Sequence, residues 1–289
     1  MENSIIQLLN GLVFSMLLFV MAAGLSLIFG QMNVLNLSHG AFYLLGGYIG
    51  LTMVQQFGNF WIALLLAPLL VSGLGLLIET FLLRRFYGAH RHLDQVLLTF
   101  GMALIAADLI RWNWGAYVEA VSAPPLLEGQ VPVFGIQFPL YRLSLIGFGL
   151  LIAVLLWFLI ERTRLGAIIR AGVSDAQMVS GLGIHINLVF AGVFALGTAL
   201  AALAGVIGAP VLNLYPGLDF EILILTLVVV VVGGLGTLKG AFLGSLVIGL
   251  ADTFGKALLP EFALFLIFAV MAVILLIRPS GLAGLKGAG

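Results

Sequence analysis

Cysteine is absent from the 289 residues, which excludes a disulfide framework and any thiolate metal site. Charge is nearly as scarce: 12 Lys and Arg and 12 Asp and Glu make up 8% of the chain. That is too little to keep a soluble domain of this length dissolved, and a formal net charge of zero argues against nucleic acid as a partner. No G-x-x-x-x-G-K-[ST] occurs. The nearest candidates, Gly255-Lys256 followed by Ala257 and the run Gly233 to Lys239, lack the spacing, so the chain cannot cradle a nucleotide in this way. The four histidines include one close pair, His90 and His92, set among arginines. Neither paired carboxylates nor G-x-S-x-G is present, so the expectation is no catalytic residue, no metal site and no cofactor bound by this chain. The start, M-E-N-S-I-I-Q, lacks the basic n-region of a secretory signal and is read as leading into a retained first helix.

What is present is hydrophobic: 62% of residues and a mean hydropathy of +1.23. Such a composition defines an all-α polytopic membrane protein, and the 37 glycines suit helices that approach closely in lipid. At about 20 apolar residues per crossing, spans are expected near 8–30, 40–57, 61–83, 93–112, 141–160, 187–209, 219–233, 240–257 and 262–277. That makes about nine in a single transmembrane domain over 1–289. The seventh is short and rich in β-branched residues, so a re-entrant or broken helix is the alternative there. Lys and Arg set the orientation. With the tail after Arg278 inside, the inner side receives Arg84, Arg85, Arg91, Arg162, Arg164, Arg170, Lys239, Arg278 and Lys286, against Arg111, Arg142 and Lys256 outside, so the N-terminus lies outside.

Between Glu2 and Glu79 there is no charged residue. The polar run Q-M-N-V-L-N-L-S-H-G-A-F, residues 31–42, interrupts that stretch, and Asn33, Asn36, Ser38 and His39 need hydrogen-bond partners at membrane depth. Two readings stay open: lining or gating of a translocation path, or a tight turn with capping Asn and Ser. Asp252 and Glu221 are the deepest carboxylates in the spans, with Asp252 a second path candidate. Asp108 and Arg111 are spaced to pair on one helix. His39-Gly40-Ala41-Phe42 is echoed by Lys239-Gly240-Ala241-Phe242, and G-x-x-x-G spacing at Gly46 and Gly50 and at Gly240 and Gly244 marks helix packing. The outer loop 113–140 carries V-P-V-F-G-I-Q-F, which reads as a short hairpin turning near Gly135.

The longest water-facing segment runs from Glu161 to Ile184. Ser174 begins S-D-A-Q, read as a capping box in which Ser174 accepts from the N3 amide and Gln177 returns to the Ser174 backbone. Asp175 adds favourable charge at the first turn. Met178, Val179 and Leu182 follow at helical spacing, with Gly181 and Gly183 as the stop. A helix of about two turns needs something to pack on: either the protein's own inner face or a soluble partner.

T-R-L-G-A-I-I-R-A and S-D-A-Q-M-V-S-G-L-G-I strongly resemble the cytoplasmic coupling region of permeases of branched-chain amino acid ABC transporters. The match continues through L-N-L-S-H-G-A-F-Y-L-L-G-G-Y (35–48), A-L-A-G-V (202–206), V-G-G-L-G-T-L-K-G-A-F-L-G (232–244) and R-P-S-G-L-A-G (278–284), and the opening is similar to the shorter H-type permease. The resemblance implies an inner-membrane importer subunit that forms the substrate path with a second homologous permease. It also implies two cytoplasmic ATPase subunits that bind ATP, and a periplasmic substrate-binding protein that sets selectivity. It places the coupling contact in 161–186, at Arg170, Ser174, Asp175, Gln177, Met178, Gly181 and Leu182. A stand-alone secondary transporter or channel is the rival reading.

Overall fold

The computed structural model describes residues 2–32, 35–87 and 92–284. Long helices dominate them: α1 (Glu2–Met32), α2 (His39–Phe57), α3 (Phe60–Phe81), α4 (His92–Trp114), α5 (Leu140–Arg162), α8 (Ile186–Leu212), α9 (Leu218–Gly233), α10 (Leu238–Leu258) and α11 (Ala263–Ile277). Two short helices, α6 (Arg164–Ser174) and α7 (Ala176–Gly181), join α5 to α8. A helix thus stands at each position where a span is expected. Seven of them are long and apolar enough to cross a membrane. The exceptions are α2, whose glycines, tyrosines and glutamines lower its hydropathy, and α9, whose 16 residues reach only about 24 Å against a hydrocarbon core of about 30 Å.

The reason lies in where those two helices begin. His39 Nε2 stands 3.0 Å from the Met21 carbonyl of α1, about 16 Å short of the end of α1, so α2 starts inside the bundle. α9 starts at the same level, because Gly40 lies so close to Asp219 that a Cβ there would collide with the Asp219 carbonyl. From this meeting point α2 runs toward the end of the bundle that carries the β-hairpin. α9 runs the other way as one unbroken helix to Gly233, not as a broken one.

Non-helical backbone at such depth must have its polar groups satisfied. The Leu37 amide donates to Thr99 Oγ1 of α4 at 3.2 Å, and that hydroxyl donates to the Leu35 carbonyl. Asn36 Oδ1 accepts from the Ser38 amide at 3.1 Å and its hydroxyl at 2.6 Å. On the α9 side, Glu119 and Leu214 exchange backbone hydrogen bonds of 2.8 and 3.0 Å, and the Gly217 amide donates to Asp219 Oδ1. The buried Asp219 carboxylate sits in the first turn of α9, whose N-terminus presents positive partial charge.

α1 is the core of the bundle, packed by α10, α8, α5 and α9. Both G-x-x-x-G pairs serve contact: Gly46 and Gly50 lie on Ala202 and Val206 of α8, while Gly240 and Gly244 lie on Gly233 and Val229 of α9. The two echoed segments therefore hold α9 at its opposite ends. Beyond α11, the 278–284 motif turns back beneath α9, and the Leu282 and Ala283 amides donate at 2.9 Å to the Val232 and Gly233 carbonyls. Those carbonyls lack helical partners at a C-terminus.

The two ends of the bundle differ. The hairpin end carries strands β1 (Gln130–Val133) and β2 (Ile136–Pro139), antiparallel with Val133 opposite Ile136. They turn through Phe134 and Gly135 at φ +50° and +84°, a pair of positive angles suited to the twist of a two-residue hairpin. The other, basic end gathers Arg84, Arg162, Arg164, Arg170, Lys239 and Arg278.

Candidate functional site at the basic end

The segment after α5 folds as two helices. Thr163 caps α6 by accepting from the Gly166 amide at 3.1 Å, and a Cβ on Gly166 would collide with the Ile160 carbonyl. Arg170 reaches back one helix: Nη1 donates to the Ile160 carbonyl and lies 3.7 Å from Glu161 Oε2. This arginine ties α6 to the C-terminus of α5, where cations suit the helix dipole.

The capping box on Ser174 is not what forms. Ser174 is the last residue of α6, and the cap of α7 is Asp175, at φ −156° and ψ 96°. Its Oδ1 accepts from the Met178 amide at 2.8 Å. α6 continues one residue further than expected because the Asp175 amide still bonds to Ala171. A cap needs non-helical angles, so the role passes to Asp175. Gln177 is exposed.

α7 has six residues, less than the two turns expected. Gly183 ends it at φ +85°, its amide bonding to Ser180 while the Ile184 amide bonds to Val179, a Schellman arrangement that needs a left-handed residue. Gly181 is simply the last helical residue. Val179 is 4% exposed and anchors the helix, whereas Met178 and Leu182 stand 64% and 74% exposed. Beside them a cavity of about 390 Å³ is lined by Arg84, Ser180, His185, Ile186, Asn187 and Leu188.

Arg84 joins this surface to the bundle. Glu79, fully buried near the end of α3, accepts from Arg84 Nη2 at 3.0 Å and Nε at 3.4 Å, from the Tyr87 hydroxyl at 2.8 Å and from the Thr80 hydroxyl at 3.2 Å. The same guanidinium donates to the Asn187 carbonyl at the start of α8. Burial, and then the Glu79 carboxylate, push the Tyr87 phenol above its ordinary value. Sequence reasoning noted Glu79 as the end of an uncharged stretch and missed this network. Its signal was the lone acid ending a long uncharged run, five residues before Arg84.

The path candidates lie elsewhere. Asn36, Ser38 and His39 come together, wholly buried, at the start of α2, and none of them lines the cavities described here. Asn33 lies outside the described residues. Asp252 is far along α10 and is held by Lys256 Nζ at 2.8 Å, with that ammonium also over the Phe14 ring at 5.5 Å. Glu221 accepts from the Tyr215 hydroxyl at 2.9 Å. Asp108 and Arg111 pair as spaced, at 4.0 Å and well exposed.

Apolar helices of membrane length, a buried central helix, two helices that start within the bundle and a capped, exposed connector define a multi-pass membrane protein. The chain belongs to the family described as the branched-chain amino acid transport system permease component, whose model matches residues 7–275; it is an ABC transporter permease of the H type, a family of transport permeases and not of enzymes. It is similar to the high-affinity branched-chain amino acid transport system permease protein BraD of Pseudomonas aeruginosa, 28% identical over 96% of this chain and 95% of that one. It is likewise similar to LivH of Escherichia coli, 27% identical over 96% and 94%. The autoinducer 2 import system permease LsrC of Salmonella paratyphi B is 28% identical over 53% of this chain and 45% of that one. Among solved structures, PsaBC from Streptococcus pneumoniae in complex with a Fab shares the fold, with a TM-score of 0.50 at 15% identity over 93% of this chain and 89% of that one.

Proposed function

We propose that this chain is one of two homologous permease subunits in an ATP-driven importer of branched-chain or related amino acids, in the inner membrane. The basic end faces the cytoplasm and the hairpin end the periplasm, so 113–140, with Phe134 at its exposed tip, meets the substrate-binding protein. All nine long helices are embedded, α2 and α9 as the two that start within the membrane, and the path forms against the second permease. This chain binds no cofactor; ATP binds to two ATPase subunits.

One observation carries the reading: α7 presents Met178 and Leu182 to solvent on the basic end of a chain with no nucleotide-binding motif. A six-residue helix with exposed apolar side chains is stable only against something it packs on, and the segment is the one that resembles a coupling region. Asp175, Gln177 and Gly181 complete that surface, and Arg170 holds it on α5. The rival reading, a transporter working alone, would draw on carboxylates in the spans, but Asp252 and Glu221 are each taken up by a neighbour. Reconstitution separates the two. Uptake into proteoliposomes is expected only when the second permease, both ATPase subunits, the binding protein and ATP are present; uptake by this chain alone on an ion gradient would overturn the proposal. A thermal-shift screen of the binding protein identifies the substrate.

A further inference from the structure

A groove of about 470 Å³ runs along the flank of the bundle, between α1, α5 and α10. Its walls include Phe19, Leu150, Ala153, Trp157 and Phe242, all apolar, and Lys239 stands at its rim. From Leu150 to Trp157 it follows α5 for about 10 Å toward the basic end. Its depth is therefore that of the membrane half on that side, whose hydrocarbon is about 15 Å thick. Lys239 is exposed and has no ion pair among the described residues. Arg162 places its guanidinium 5.3 Å from the centre of the Trp157 ring, so a second cation covers the indole that forms a wall of the groove.

We propose that this groove binds one acyl chain of an acidic glycerophospholipid of the basic-end leaflet, with the phosphate between Lys239 and Arg162. The apolar walls at hydrocarbon depth fit a lipid tail and offer a polar ligand no hydrogen bond. Cations at the rim fit an anionic headgroup, since basic pockets between membrane helices recognise such lipids on the cytoplasmic side. A helix of the second permease fits less well. Laid into the groove it would take the Lys239 ammonium out of water against apolar side chains, a costly burial without a counter-charge, whereas a phosphate brings that charge with it.

Trp157 supplies the test. The full-length chain, in the complex in which it is purified, is placed in phosphatidylcholine bilayers that contain increasing dibrominated phosphatidylglycerol or dibrominated phosphatidylcholine. Bromine quenching of Trp157 is isolated by subtracting the Trp157→Phe variant. The expected result is half-maximal quenching at a several-fold lower mole fraction of the acidic lipid. That preference is expected to vanish in Lys239→Gln and to persist in Lys239→Arg, which also controls for folding. Equal quenching by the two lipids, a preference unchanged in Lys239→Gln, or no quenching by either because protein covers the groove, would each overturn the proposal. None of these readouts depends on uptake, so they stand apart from the transport reading.

Discussion

α1 and α7 are both apolar helices with opposite fates. In the most apolar 18-residue stretch of α1, 83% of residues are buried within the chain, and its glycines accept neighbours at backbone distance: Gly24 faces the Gly197 carbonyl and Gly30 faces Gly236. α7 buries Val179 and leaves Met178 and Leu182 in the open. A helix whose apolar groups are covered by its own chain is finished by folding. One that keeps them exposed, on a doubly capped frame, is the one we propose a partner completes. The fold therefore keeps its stability in the bundle and the proposed contact surface in the connector, and Arg84, bonded to Glu79 of α3 and to Asn187 at the start of α8, shares a cavity with Ser180 of α7 where the two meet.

The largest expected effect breaks the comparison at α7. Met178→Asp combined with Leu182→Asp should abolish uptake and recovery of ATPase subunits on co-purification, while insertion and thermal unfolding in detergent stay near wild type, because exposed substitutions shift stability by about 0.5 kcal/mol or less. Normal uptake by the double variant would mean that the exposed face is not the contact.

Next comes the junction. Arg84→Met leaves the Glu79 carboxylate buried and uncompensated, and breaking a pair in this way costs about 3–5 kcal/mol; with Arg84 partly exposed, the low end is expected. Thermal unfolding of the purified chain measures it, and a loss below about 1 kcal/mol would show that Arg84 does not hold the end of α3 to the start of α8.

The smallest effect is at Tyr87. Tyr87→Phe removes one hydrogen bond to a charged acceptor, worth about 1.5–3 kcal/mol. The phenol is raised above its ordinary 10.0, so its contribution is complete below about pH 10 and declines only as pH rises beyond that value. The difference between wild type and Tyr87→Phe should thus be flat from about pH 6 to 9. A slope across that range would place another titrating group in the network.

Much of this was legible beforehand. Hydropathy located every long helix, the Phe134-Gly135 turn was readable as a hairpin, and the spacing of Asp108 and Arg111 announced their pair. The connector was legible as capped and apolar, but not in register. Choosing between Ser174 and Asp175 as cap depends on how far α6 runs, which Arg170 and the Ile160 carbonyl help decide from another helix. Asn36, Ser38 and His39 were identified as needing partners. Asn36 and Ser38 find each other, but nothing local indicates that His39 meets the Met21 carbonyl or that Thr99 serves the backbone of Leu35 and Leu37.

The sequence by itself determined that this chain lives in a membrane, which family it belongs to and which end is basic, because hydropathy, motifs and Lys and Arg counts are sums over residues and need no coordinates. Only the tertiary structure decided that α2 and α9 begin at mid-depth with their N-termini together, that Glu79 is neutralised from a neighbouring turn and that Met178 points outward while Val179 points in. Each of these depends on which backbone lies against which. In a bundle where many contacts pass through glycine, that is set by the fit of whole helices and not by any short run of residues.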